Sequence, residues 1–260
     1  WGVEDIVMCP GKEDMFRFLE DIVREVVPLF PGKYFHIGGD ECPKTSWKNC
    51  PTCQKRIEAE GLQADGKHSA EERLQSYVIK RMEKMLAKYG RKIIGWDEIL
   101  EGGLSPEATV MSWRGTSGGI SAALQKHDVI MTPGSGGLYL DHYQGDYKIE
   151  PVTIPSAPAY LSRTYNYEPV PDTIKSLGLE KHILGVQCNN WSEYMYTNAK
   201  MEYQMYPRSL ALAEIAWSPA KKKNFTDFAR RVDANSVRLD ERHVRYHIPL
   251  PEQPYGSCDK

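Results

Sequence analysis

What most restricts the fold of this chain is an alternation that runs its length. Short β-prone runs, each ending in polar or aromatic residues, are separated by stretches with helical spacing. The runs are residues 33–37 (KYFHI), 92–96 (KIIGW), 109–113 (TVMSW), 128–132 (DVIMT) and 182–187 (HILGVQ). Over residues 12–27, Met15, Phe16, Leu19, Ile22, Val23, Val26 and Val27 recur at spacings of three and four, which predicts an amphipathic helix. Pro28 and Pro31-Gly32 stop it. Leu74, Tyr77, Val78, Met82, Met85 and Leu86 repeat the pattern over residues 70–89, with Gly90 as its cap. Further helices are predicted at 118–126, 200–217 and 224–241. Strands of this length alternating with helices specify parallel βα units. Right-handed crossovers then send every strand C-terminus to one face. His36, Asp40, Glu41, Trp96, Asp97, Glu98, Trp113, Asn189, Asn190, Trp191 and Glu193 all fall at such ends. In a (β/α)8 TIM barrel that face carries the active site. The rival α/β arrangement, a doubly wound open sheet, lacks its phosphate fingerprint, because Gly134-Ser-Gly-Gly137 opens a loop rather than a helix.

The composition narrows the partners. With 33 basic and 35 acidic residues the formal charge is −2, so there is no strong field to gather phosphate backbones, and nucleic acid is not expected as a partner. No stretch approaches the ~20 apolar residues of a membrane span. The 260 residues suffice for one domain, and 15 Tyr and 6 Trp against 6 Phe favour rings that pack on sugar faces or fill a large core or interface. Residues 133–171, rich in Gly, Pro and Tyr, read as a long functional loop. The start at Trp1 shows neither an initiator Met nor a signal peptide, which leads us to expect a fragment or processed product of a longer protein.

The six cysteines are Cys9, Cys42, Cys50, Cys53, Cys188 and Cys258. Cys50-Pro-Thr-Cys53, with Cys42 upstream, is compatible with a redox pair, a disulfide or part of a zinc site. A closed zinc site needs four ligands, and His36 and His68, the nearby candidates, have no zinc-finger spacing. A loop disulfide or inert thiols are therefore expected, with no metal and no cofactor. Cys188 is expected to be a buried filler.

Asp40 and Glu41 are adjacent, and their Cα atoms are tied about 3.8 Å apart. Two such carboxylates cannot easily straddle an anomeric carbon as acid and nucleophile. One can protonate a leaving oxygen while the other assists a different group. In a substrate-assisted glycosidase the sugar's own 2-acetamido oxygen attacks, an exception to the two-carboxylate scheme that is known for certain families.

His36-Ile-Gly-Gly-Asp-Glu41 resembles the signature of glycoside hydrolase family 20, the β-N-acetylhexosaminidases. The similarity continues, in the family's order, through Gly95-Trp96-Asp97-Glu98, Ser112-Trp113, Tyr139-Leu140-Asp141 and Trp191-Ser192-Glu193. It runs from Trp1 to about Trp217 and implies an exo-acting, retaining enzyme that removes terminal β-linked N-acetylglucosamine or N-acetylgalactosamine from glycans. By this resemblance Glu41 is the general acid/base, Asp40 orients the acetamido nitrogen and Tyr139 bonds the acetamido oxygen. Trp96 and Trp113 wall the acetamido methyl, Trp191 stacks under the ring, and Asp141 and Glu193 bind hydroxyls. His36 supports the pair, while Asp97 and Glu98 are structural. Tyr165, Tyr167 and Glu168 match an outer subsite loosely.

The resemblance also places the first matching strand fourth in the family's barrel. The chain is thus expected to carry strands 4 to 8 of a (β/α)8 barrel over residues 1–246, with an irregular tail at 247–260. A missing N-terminal segment or a second chain would complete it. The implied address is periplasmic, secreted or lysosomal. Two other functions compete: a non-catalytic N-acetylhexosamine-binding module, because the barrel is truncated, and a metal-dependent hydrolase using His36, Asp40 and the cysteines.

Overall fold

The structure, a computed structural model, describes residues 2–249. Five strands are formed: β1 (Tyr34–His36), β2 (Lys92–Trp96), β3 (Thr109–Ser112), β4 (Val129–Met131) and β5 (Ile183–Val186). They lie in one sheet in chain order, β1-β2-β3-β4-β5. The first pairings are parallel, with Phe35 opposite Ile93 and Gly95 opposite Val110. Every sequence-predicted run forms its strand; helices join β1 to β2, β3 to β4 and β4 to β5, while β2 reaches β3 through a 3-10 turn at Asp97–Leu100 and a loop. The helices are α1 (Glu13–Val26), α2 (Thr45–Asn49), α3 (Pro51–Ala59), α4 (Ala70–Ala87), α5 (Ser117–Leu124), α6 (Leu161–Asn166), α7 (Asp172–Ser176), α8 (Asn198–Met205), α9 (Arg208–Trp217) and α10 (Phe225–Glu241).

Three expectations need correction. The helix predicted over 200–217 is two helices, α8 and α9, broken at Pro207, which has no N–H to continue the ladder. The Cys-containing segment after Glu41 is helical (α2 and α3), which its polar composition had hidden. The long loop at 133–171 contains α6, whose Leu161 and Tyr165 are buried. Of the irregular tail expected from 247 onward, residues 250–260 lie outside the described residues.

The chain forms two compact units. One takes in the chain up to Met111 together with Ser121–Val129; the other takes in Ser112–Ile120 and the chain from Ile130 onward. In the first, α4 begins with a capping box, Ser69 Oγ accepting from the Glu72 N–H while the Glu72 carboxylate accepts from the Ser69 N–H. Helix α4 packs on β2, and α1 docks on α4 through an edge-to-face contact of Phe16 with Tyr77 at 6.0 Å. Arg81 covers the Phe16 ring at 3.9 Å and pairs with Glu13 at 2.9 Å. In the second unit α6, α9 and α10 enclose Leu161, Tyr165, Ala211, Phe228 and Val232. Tyr165 is 1% exposed and stacks on Phe228 at 4.6 Å, so it is a core residue and not part of an outer subsite. Glu168 is engaged by Lys175 and Lys223 at 3.7 and 3.8 Å.

Candidate active site

Strand β1 delivers the chain into Gly38-Gly39-Asp40-Glu41, and this turn is shaped by close backbone approach. The ladder with β2 continues past the strand, since the Ile37 N–H donates to Ile94 O and the Trp96 N–H donates to Gly38 O, both at 2.9 Å. Gly39 has φ +97, and a Cβ there would stand 2.6 Å from Ile99 Cγ2, so any other residue would be strained in its backbone and would have to push the Ile99 side chain aside. Glu41 itself has φ +45, a left-handed conformation uncommon for a side chain of this size. Such conformations persist where surrounding contacts over-determine them.

Helix α4 braces the neighbouring turn. Gln75 is 4% exposed, and its Nε2 donates to Glu98 O at 2.9 Å and reaches Gly39 O at 3.5 Å. Its Oε1 accepts from Lys44 Nζ, which also donates to Cys42 O at 2.7 Å. One amide thus ties the residue before Asp40 to the turn after β2 and to the residue following Glu41. Asp97 and Glu98, after β2, are 2% and 6% exposed, in keeping with a supporting position. Asp40 and Glu41 are exposed. His36 packs its ring on Trp96 at 4.7 Å, and its Nδ1 accepts the Gly38 N–H at 3.1 Å. Desolvation lowers the His36 pKa, with the Asp40 carboxylate opposing in part, and a lone pair held by Gly38 favours the same neutral ring.

A second group of candidates lies in the other unit. Ser112 Oγ accepts the Gly119 N–H at 2.9 Å and donates to Gly115 O at 2.7 Å, bracing the turn that carries Trp113. Trp113 is stacked with Tyr139 at 6.4 Å and 10°, and Tyr139 meets Trp191 edge-on at 6.3 Å. Tyr139 forms a parallel bridge with Asn189, and the Leu140 N–H donates to Asn189 O at 2.7 Å. Trp191 is 40% exposed and Glu193 is exposed.

Asp141 is 3% exposed, and neither carboxylate oxygen accepts a well-formed hydrogen bond, the backbone N–H groups of Asp141 and Trp191 approaching it without good alignment. Burial pushes its pKa up from 3.8 to about 6, against the backbone N–H groups of Asp141 and Trp191 and the Arg208 guanidinium. A buried carboxylate without well-formed hydrogen bonds is costly unless a ligand hydroxyl satisfies it.

The backbone around it is fixed by residues that sequence reasoning missed. Arg208 is fully buried and donates to Leu140 O, to Gln204 O at 2.8 Å and to Ala159 O at 3.2 Å. Gln204 Nε2 and Thr153 Oγ1 both donate to Asp141 O, the first at 3.2 Å. The signal in the sequence was a polar residue on an apolar stripe: Gln75 with Ile79 and Met82, Arg208 with Ala211 and Ile215.

Five described cysteines are free thiols, and Cys9, which was not grouped with the others on sequence, joins Cys50 and Cys53. Cys188 is partly exposed rather than a fully buried filler. His36 and Asp40 are not in the thiol group, so the ligand set of a metal-dependent hydrolase is not assembled among the described residues. Tyr167 packs its ring over Gly136 and buries its hydroxyl.

A family profile described as glycosyl hydrolase family 20, catalytic domain, matches residues 1–220. The chain is 59% identical over its whole length to a β-hexosaminidase of Porphyromonas gingivalis, covering 32% of that protein. It is 36% identical to a β-hexosaminidase of Vibrio furnissii over 80% of this chain and 33% of the relative. The chain therefore spans about a third of the length of these curated relatives. Among solved structures it resembles an exo-β-N-acetylglucosaminidase of Vibrio harveyi in complex with N-acetylglucosamine. That TM-score is 0.85 at 29% identity, covering 94% of this chain and 37% of the other. A β-N-acetylhexosaminidase of Bacteroides fragilis gives 0.80 at 27% identity, covering 98% and 50%. With its parallel sheet, the chain has an α/β fold of the TIM-barrel type.

Proposed function

The chain belongs to glycosyl hydrolase family 20, and from that premise we propose an exo-acting, retaining β-N-acetylhexosaminidase that works by substrate assistance on N-acetylhexosamine-terminated glycans. The observation that carries the proposal is the Asp40-Glu41 turn: two neighbouring exposed carboxylates, the second at φ +45, on a loop held by Gln75. Neighbours this close serve one face of a sugar, which leaves the nucleophile to the substrate.

In the first step Glu41, protonated, gives its proton to the leaving glycosidic oxygen while the 2-acetamido oxygen attacks the anomeric carbon, forming a bicyclic oxazolinium. Asp40 accepts the acetamido N–H and stabilises the positive charge that develops there. Tyr139 donates its hydroxyl to the acetamido oxygen and holds it for attack. In the second step the Glu41 carboxylate takes a proton from water, which opens the ring from the side the leaving group left, so the anomeric configuration is retained.

Trp96 and Trp113 wall the acetamido methyl, and Trp191 carries the apolar face of the ring. Asp141 and Glu193 accept sugar hydroxyls; the poorly satisfied oxygens of Asp141 support that role. His36, neutral, positions Asp40. Glu41→Gln should lower turnover of a chromogenic N-acetylglucosaminide by about 10²- to 10⁴-fold, and Asp40→Asn should cripple it as well. Near-normal rates in both variants overturn the assignment.

The five strands correspond, in this reading, to strands 4 to 8 of the barrel. Supporting this, β1 and β5 each pair on one side only among the described residues, and both are more exposed than β2 and β3. Phe18, Ile22, Leu29, Phe30 and Tyr34, on or near α1 and β1, are exposed and apolar, as surfaces covered by further barrel elements would be. The proposed address is periplasmic, secreted or lysosomal; no helix among the described residues is long and apolar enough to cross a membrane.

A further inference from the structure

Away from the carboxylate pair, the first unit gathers three thiols that the proposed reaction does not use. Cys9 Sγ stands 3.7 Å from Cys50 Sγ and 3.5 Å from Cys53 Sγ, and all three sulfurs lie within 4.8 Å of one another. A tetrahedral metal with Zn–S bonds of about 2.3 Å separates its sulfurs by about 3.8 Å. A disulfide would bring one pair to about 2.05 Å. The observed spacings match the tetrahedral edge and treat Cys9 alike toward both partners, whereas a disulfide would single out one pair.

The surroundings are built for this arrangement. Cys50 is the N-cap of α3 and Cys53 sits in its first turn, with Pro51 between them at a position that needs no N–H. The segment carrying Cys9 is brought in by contact that only glycine permits: a Cβ on Gly11 would stand 2.4 Å from Thr52 O. Trp47, Ile57 and Leu74 form an apolar shell, and Trp47 Nε1 donates to Met8 O at 2.9 Å. Cys42 packs against the same shell, but its sulfur is not in the trio.

We propose that Cys9, Cys50 and Cys53 form a three-thiolate site for one thiophilic divalent cation of the zinc class, with the fourth position open to an exogenous ligand. Binding releases the thiol protons and forms three metal–sulfur bonds, with no change of oxidation state. The site is a clip: it ties the segment at Cys9 to α2 and α3, the helices that lead the chain away from Glu41. It does not depend on the hydrolase reading, and its test does not use activity.

The reduced protein, held under anaerobic conditions, is titrated with cobalt(II) and followed by absorption. One cobalt per chain, with thiolate-to-cobalt charge transfer in the near ultraviolet and strong tetrahedral ligand-field bands in the visible, is expected. Zinc should abolish both. Cys9→Ser and Cys53→Ser, checked for folding by circular dichroism, should lose the charge-transfer band, and Cys188→Ser should keep it. Absence of cobalt bands in the reduced wild-type protein overturns the proposal. So does a disulfide joining two of these three cysteines, found by peptide mapping of protein purified without reductant.

Discussion

Glu41 and Asp141 show how differently a residue can announce itself. Glu41 was legible as one half of an adjacent carboxylate pair after two glycines, because its chemistry resides in residue type and neighbourhood. Its φ of +45 was not, because residue type does not fix a backbone angle in a turn. Asp141 was legible only through the family motif; its burial at 3% exposure and its lack of a well-formed hydrogen bond are tertiary facts. They have a measurable consequence. With its pKa raised from 3.8 to about 6, the native state holds this proton over a pH range where the unfolded chain has lost it. Asp141 therefore lowers stability as pH rises from about 4 to about 6, by an amount on the order of 3 kcal/mol, and is flat above that. Urea unfolding of wild type and Asp141→Asn at pH 4.5 and 7 should show the variant gaining on the wild type at the higher pH. Parallel behaviour of the two would mean that Asp141 is not destabilised by burial.

At the scale of elements, the alternation of short apolar runs and helical periods located all five strands and the principal helices, since burial of a strand in a parallel sheet writes a continuous apolar run. It failed where local composition and tertiary role part company. Helices α2 and α3 follow the carboxylate pair through polar sequence, held by Trp47, Cys53 and Ile57, which are too sparse to set a period. The gripping residues, Gln75 on α4 and Arg208 on α9, are polar side chains on buried faces, and a periodicity search passes over them. Arg208 fastens the backbone of the Tyr139-Leu140-Asp141 segment to α9. Arg208→Met should cost about 1–3 kcal/mol for each carbonyl left unpaired, lowering the thermal midpoint, and should raise KM for an N-acetylglucosaminide more than it changes the pH profile. An unchanged midpoint would show that the three bonds add nothing to the fold.

For the whole molecule, family membership and TIM-barrel-type architecture follow from the match over residues 1–220 and from the solved relatives. The chain covers about a third of the length of the β-hexosaminidases of Porphyromonas gingivalis and Vibrio furnissii. The central claim is that the substrate supplies its own nucleophile because Asp40 and Glu41 sit side by side. It is tested most directly by comparing two chromogenic β-glycosides that share a leaving group and differ only at C2, one bearing an acetamido group and the other a hydroxyl. Substrate assistance predicts rapid turnover of the first and loss of essentially all kcat/KM for the second, with no covalent glycosyl-enzyme trapped from either. Comparable kcat/KM for the two glycosides, or a sugar found attached to a carboxylate of the protein, would contradict it.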